Sequence, residues 1–550
     1  MSDSIAVETV RHTSGNHVQM SASNIAQAHA SAETQKSMNF RTVMKIYYKA
    51  AFWSAILSLA LVMEGYDLGV INSFWAQGEF LKRFGVPDAT GKLYVPANWQ
   101  AAVNNAALVG EIIGLALNGF LSPRYGAKKV YLGAMVMMAA AIFIPVFATD
   151  VKILFAGELI CGIPWGVFQT LTTAYAADIC PIALRGYMTA FVNLCWGIGL
   201  TIASGVVRGA ISIEGQWSWR MAYVIQWAWP VPLFIIVLFA PESPWYLIRQ
   251  GRPEDAKNSL RRLAKDGYYS EEDLDAELAL MQHTNELEKA DVAGATFADC
   301  FKKSNLRRTE IVSCVWGIQY FCGQPMINYT TSFLANAGLS ETNSFNINLV
   351  VTTMFIIGTV CSWIFLGKVS RRHIYIAGCG GMAIALGVIG ILGFFPNNHG
   401  AIWGLGVLLI ILNFVYNITV GPTCYTIVGE LPSTRVRQQS VVIARAVYLC
   451  VGVVIQQLVP RMLSPEEWNW GGRCGLFFLG TNLISTAYCY FRLPDTRGRT
   501  YGELEILFND GVPARKFAST AVDEFQLTGV RQDWVDDKAQ EKYIEDIRSS

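Results

Sequence analysis

Glu64 and Asp67 stand three residues apart in Leu61-Val-Met-Glu64-Gly-Tyr-Asp67-Leu. Glu111 lies in Leu108-Val-Gly-Glu111-Ile-Ile, and Arg445 in Val441-Val-Ile-Ala-Arg445-Ala. All four interrupt runs that are otherwise apolar. An ionised side chain in hydrocarbon costs several kcal/mol, so such residues are functional candidates by default. The i, i+3 spacing of Glu64 and Asp67 sets both carboxylates on one face of a helix and predicts a shared environment. Two carboxylates close together at low dielectric repel each other, and an Arg that approaches or withdraws then releases or admits a proton. That is the chemistry of a proton relay. The competing role is structural, with each charge locked in a buried pair that ties helices together. Glu158, in Gly157-Glu158-Leu-Ile-Cys-Gly162, is a fifth acid in an apolar run; its place near the end of the run lets it snorkel toward water.

Uncharged polar side chains gather further along. Gln319, Gln324, Asn328 and Tyr329 fall in one apolar stretch, and Asn413, Asn417 and Tyr425 in another. Amides pair with vicinal hydroxyls and aromatic rings stack on an apolar ring face, which together suit a sugar. Singly, such amides also serve as glue between helices.

These residues must be held by membrane-spanning helices. Of 550 residues, 52% are hydrophobic and only 15% charged, against about 25% charged in a soluble domain. Twelve apolar stretches are long enough to cross a bilayer, namely residues 50–71, 98–121, 130–148, 151–174, 187–207, 221–240, 310–334, 345–366, 374–395, 401–428, 440–459 and 472–491. Glu111 then sits about 20 Å along its helix at 1.5 Å per residue. An even number of spans places both termini on one side. Twenty-one Lys and Arg flank the spans on that side against eight on the other, so both termini are expected in the cytoplasm. The polar first 45 residues contain no apolar core of signal-peptide type, and the first span is expected to act as its own signal.

The expected organisation is a cytoplasmic N-terminal tail over 1–45, a six-helix half over 46–240 and a cytoplasmic helical linker over 241–309. A second six-helix half follows over 310–492, then a cytoplasmic tail over 493–550. Apolar residues at helical spacing, Ala256-Leu260-Leu263 and Leu274-Leu278-Met281, predict helices in the linker. The halves echo one another at about 250 residues: Tyr131 with Tyr375, Asp178 before Arg185 with Glu430 before Arg435, and Pro241-Glu-Ser with Pro494-Asp-Thr. The fold class is therefore all-α, a polytopic membrane protein of two parallel six-helix halves.

Other classes fall away. A net charge of +1 supplies no basic surplus for nucleic acid, and the twelve cysteines are scattered without metal-ligand spacing. No nucleotide-binding loop, dinucleotide fingerprint or nucleophile elbow is present, so neither an enzyme nor a cofactor is expected.

The motifs now in view resemble the sugar-porter family of the major facilitator superfamily, and within it the fungal α-glucoside (maltose-type) permeases. The resemblance spans roughly residues 45–510. It rests on Glu64-Gly-Tyr-Asp67, Cys161-Gly-Ile-Pro-Trp-Gly166, Tyr175-Ala-Ala-Asp178, Leu184-Arg-Gly186, Pro241-Glu-Ser-Pro-Trp-Tyr-Leu247, Gly421-Pro-Thr-Cys-Tyr425 and Pro494-Asp-Thr-Arg-Gly-Arg-Thr500. It implies alternating access around a central sugar site, with import of an α-glucoside coupled to protons at a fungal plasma membrane. Asp67 is then the expected proton acceptor, aided by Glu64, Glu111 and Arg445. Asn193, Gln319, Gln324 and Tyr425 fall at sugar-contacting positions, and Asp178, Arg185, Glu242, Glu430, Arg435 and Arg497 form a cytoplasmic salt-bridge gate. The partners implied are sugar, protons and the lipid bilayer, with the chain working as a monomer.

Three places depart from the family pattern. The loop that usually reads Asp-Arg-x-Gly-Arg is Pro123-Arg-Tyr-Gly-Ala-Lys128, its echo has Ser370 where Gly is usual, and Glu158 replaces the helix-four Arg of bacterial proton–sugar symporters. Two alternatives follow: a sugar sensor that does not transport, and a transporter of a secondary metabolite.

Overall fold

The computed structural model describes residues 40–520, apart from 89–90, 293–295, 367, 397, 434–435, 498 and 500. Eleven helices among these residues are long and apolar enough to cross a membrane: Tyr48–Phe74, Ala97–Tyr125, Ala127–Val146, Val151–Ala176, Phe191–Ala210, Trp217–Val237, Glu341–Phe365, Arg371–Leu392, His399–Glu430, Gln439–Leu463 and Gly471–Arg492. With one further crossing described next they make twelve, numbered spans 1 to 12 in chain order.

Span 7 is not a continuous helix. It runs as three segments, Lys303–Phe321, Gln324–Asn328 and Thr330–Asn336. The first break is at Gly323, whose φ of +93° is open to glycine and strained for other residues, followed by Pro325, which cannot donate to the preceding turn. Broken helices free backbone groups near the bilayer midplane and are tolerated where they line a cavity. Span 10 is interrupted similarly at Thr419, just before Val420-Gly-Pro422.

Close crossings position the acids. Spans 2 and 4 meet through Gly110, Gly114, Gly162 and Gly166. A Cβ on Gly166 would lie 2.1 Å from the carbonyl oxygen of Glu111. Such small-residue stripes let helix backbones approach closely where no hydrophobic force separates helix from lipid.

The repeat read from the sequence has a structural counterpart. The Tyr131 hydroxyl donates to the Leu57 carbonyl at 3.1 Å and the Tyr375 hydroxyl to that of Val315 at 2.7 Å, so each ties the third helix of its half to the first. The Ser243 hydroxyl meets Asp178 at 2.6 Å, and that of Thr496 meets Glu430 at 2.6 Å.

Between the halves, Pro244–Arg249, Pro253–Leu263 and Glu271–Val292 form helices that bury Leu247, Ile248, Ala256 and Met281 together. After span 12, helix Tyr501–Asn509 packs Phe508 under the guanidinium groups of Arg307 and Arg308, 5.1 and 4.6 Å from the ring centroid. The tails over 1–39 and 521–550 lie outside the described residues.

Candidate functional site

Glu64, Glu111 and Arg445 are brought together by a residue the sequence reading did not single out. Gln169, on span 4, donates from its amide nitrogen to Glu64 and, at 3.4 Å, to Glu111, while its amide oxygen accepts from Arg445. The guanidinium nitrogen of Arg445 lies 3.8 Å from the Glu111 carboxylate. Three elements of the first half and one of the second thus converge on one amide. The signal for Gln169 was its lone polar side chain in Trp165-Gly-Val-Phe-Gln169, three residues beyond the Gly166 crossing.

Arg445 is also boxed by aromatic rings, its guanidinium 4.7 Å from the Tyr448 centroid and 5.5 Å from that of Trp316. Cations over ring faces gain more when withdrawn from water. Tyr425 stands edge-on to Trp316 at 6.1 Å and is 43% exposed, so its ring is accessible beside this cage.

Asp67 lies near enough to Glu64 for their charges to interact, but the two have different hydrogen-bond partners. Span 1 is enclosed by neighbours over most of its length, and both acids face span 4, Glu64 at the level of Gln169 and Asp67 at that of Glu158, eleven residues away along that helix. Asp67 instead accepts a hydrogen bond from Gln226 of span 6, and its carboxyl lies against that of Glu158 on span 4. Glu158 does not snorkel: it is buried, with the Tyr223 hydroxyl at 3.4 Å.

The predicted sugar residues divide. Gln324 and Asn328, bonded to each other at 3.1 Å, line a pocket between the halves with Asn72, Ser73, Ser204, Asn348, Thr352, Asn413 and Phe355. Asn193 reaches Thr359 across the halves at 3.4 Å, and the Gln319 amide oxygen accepts from Tyr416 at 2.7 Å. Tyr329 is no open ligand: it is buried, and its hydroxyl is held between Asn104 at 2.5 Å and Gln456 at 3.0 Å. It locks spans 2, 7 and 11 together.

Further bonds between the halves cluster on the side away from the tails. Gly78 donates to Glu341 at 3.0 Å, Arg208 to Asn346 at 2.7 Å, Asn348 to Ser204 at 3.0 Å and Arg461 to Asn98 at 2.6 Å. On the tail side Glu242, Glu430 and Arg497 bond to groups close by. Glu242 accepts from the backbone N–H groups of Ser243 and Lys128, and burial pushes its carboxyl above the ordinary value. Glu430 pairs with Arg371 at 3.2 Å. Arg497 is exposed, and its backbone N–H bonds to Asp495. Arg435 and the Arg185 side chain lie outside the described residues.

The departures from the family loops are also accommodated. The Pro123 and Arg124 carbonyls accept from Gln250 and Tyr246 of the linker at 3.1 and 3.2 Å. Ser370 caps span 9 by accepting from the His373 N–H.

A family model described as sugar (and other) transporter matches residues 53–508. The chain belongs to that family. It is a membrane transporter and not an enzyme. Among its relatives is the general alpha-glucoside permease of Saccharomyces cerevisiae, 36% identical over 510 residues, covering 92% of this chain and 82% of that one. Maltose permease MAL31 of the same yeast is 37% identical over 498 residues, covering 90% and 81%. Of solved structures, the xylose transporter XylE of E. coli in a partially occluded inward-open conformation superposes with a TM-score of 0.68 at 17% identity, covering 82% of this chain and all of that one. The likeness establishes the twelve-helix major facilitator fold for this family member.

Proposed function

We propose that this transporter imports an α-glucoside such as maltose, coupled to protons, by alternating access at the plasma membrane. The observation that carries the reading is the convergence of Glu64, Glu111 and Arg445 on Gln169 across the interface of the halves. A cation on one half and two acids on the other form a contact whose strength depends on protonation. Neutralising Glu111 removes the attraction for Arg445 and loosens the halves, so proton occupancy and half-to-half motion are linked. The names of the yeast relatives, alpha-glucoside and maltose permeases, support the substrate class.

The sugar binds between the halves. Asn193, Gln324 and Asn328 offer amides at the interface, Gln319 offers one beside Tyr416 in the second half, and Tyr425 beside Trp316 offers rings on which a hexose face stacks. Asp67 takes up the transported proton, assisted by Glu64 and Glu111. The bonds that close the side away from the tails match a state shut to the outside, with both termini in the cytoplasm and the chain acting as a monomer. Asp178, Glu242 and Glu430, with Arg185, Arg435 and Arg497, form the cytoplasmic gate that opens and closes through the cycle.

The test is uptake of labelled maltose and other glucosides into transport-null yeast expressing the chain, with external pH recorded in the same vessel. Uptake with alkalinisation of the medium supports symport. Uptake without it makes the chain a facilitator and the charges of Glu64, Asp67, Glu111 and Arg445 structural, and no uptake from cells with surface expression rejects the sugar.

A further inference from the structure

Asp67 and Glu158 form a second acidic pair, beside the cluster around Gln169, whose nearest member is Glu64 on the same helix as Asp67. Asp67 and Glu158 are 1% and 2% exposed, and Gln226 and Tyr223, which contact them, are fully enclosed. The titratable groups around the pair are Glu64 and Tyr66 on span 1, Cys161 on span 4 and Tyr223 on span 6. Among the described residues no Lys, Arg or His makes an ion pair with either carboxyl. Two adjacent carboxylates cannot both remain ionised there, because neither has a counter-charge and each would bear the cost of leaving water.

The donors decide which acid keeps the proton. Gln226 gives Asp67 an N–H, which favours its ionised form. Glu158 receives only the long Tyr223 contact of 3.4 Å. We propose that Glu158 stays protonated through the cycle and donates its O–H to Asp67, so that Asp67 can release a transported proton without a nearby cation. Glu158 is a positioning residue that acts through Asp67. It does the work with a hydrogen bond where a helix-four Arg would do it with charge. The inference rests on the reading of Asp67 as the proton acceptor.

Replacing Glu158 with Gln keeps a donor of similar shape, whereas Leu removes it. Losing a hydrogen bond to a charged group disfavours the carboxylate, so Asp67 holds its proton to higher pH. The experiment is the pH profile of glucoside uptake, with sugar exchange across the membrane as a check that each variant is folded. E158Q is expected to keep the wild-type profile and proton-driven accumulation. E158L is expected to shift the alkaline limb upward by about one pH unit or more and to lower accumulation about tenfold, with exchange retained.

If E158Q loses accumulation as fully as E158L, Glu158 itself gives up a proton and the positioning role is overturned. If E158L has a wild-type profile, the contact is packing alone and the proposal is equally overturned. D67N separates the two ideas: accumulation retained in D67N rejects Asp67 as the acceptor, whatever the Glu158 variants do. Should E158L fail to reach the membrane, E158T, shorter but able to donate a hydrogen bond, set against E158V of the same shape without a donor, provides the same comparison.

Discussion

Arg445 reaches Glu111 at 3.8 Å across the boundary between the two halves, and Gln169 touches both. The pair is not a surface ion pair worth a few tenths of a kcal/mol. Glu111 is 2% exposed, and removing one member of a buried pair leaves the other uncompensated, at about 3–5 kcal/mol. Arg445→Leu is therefore expected to lower proton-driven accumulation at least tenfold. Arg445→Lys keeps the charge but loses the planar stacking between Tyr448 and Trp316, and an intermediate loss is expected. Uptake against a gradient, compared with exchange, measures both; full accumulation in Arg445→Leu would remove this residue from coupling.

Gln169 offers a sharper test because it carries no charge. Gln169→Ala leaves Glu64 and Arg445 without their shared partner, each at about 1–3 kcal/mol. The expected result is a drop in accumulation of about tenfold, with surface expression preserved. Gln169→Glu places a third acid beside one cation, and its uptake is expected to require more acidic medium than wild type. An unchanged pH profile in Gln169→Glu would rule out electrical contact with Glu64, Glu111 and Arg445.

Asp67→Asn is expected to abolish accumulation while exchange of sugar survives, since the amide still bonds Gln226 and Glu158 but carries no proton through the cycle. Concentrative uptake by this variant would reassign the acceptor.

Tyr425→Ala is expected to change which glucosides compete for uptake, with little effect on thermal stability. Its ring is 43% exposed and supports little of the core. A competition profile identical to wild type would take Tyr425 out of the binding surface.

Gly166→Leu tests the helix crossing beside Glu111. The new side chain would meet the Glu111 backbone, whose carbonyl oxygen is 2.1 Å from its first carbon. Overpacking costs about 1–3 kcal/mol and more where backbone must move. A lower melting temperature in detergent and loss of transport are expected together; wild-type stability would mean that spans 2 and 4 are not so closely joined.

Much was readable along the chain. Eleven spans appear where long apolar runs predicted them, and the echo of Tyr131 in Tyr375 became a pair of matching hydrogen bonds. Glu64, Glu111 and Arg445 were conspicuous because charge in an apolar run is costly wherever the helix faces. Residues whose chemistry is commonplace stayed hidden. Gln169 looks like any amide in a membrane helix, and Trp316 and Tyr448 like any interfacial ring.

The amino-acid sequence alone settled the membrane class, the two-half plan and the family, because bilayer thickness, hydropathy and motif spacing are properties of the chain in order. Only tertiary structure decided how the acids divide. Helical periodicity states that Glu64 and Asp67 lie on one side of span 1, but not that Gln169 and Glu158, at two levels of span 4, meet them separately. The same holds for Glu158, which hydropathy put near water and packing put beside Asp67. Tyr329 looked available for a sugar until Asn104 and Gln456 were seen to hold its hydroxyl from two other spans. Partners from distant parts of the chain are chosen by which helices cross and at what depth, and one-dimensional spacing carries no record of either.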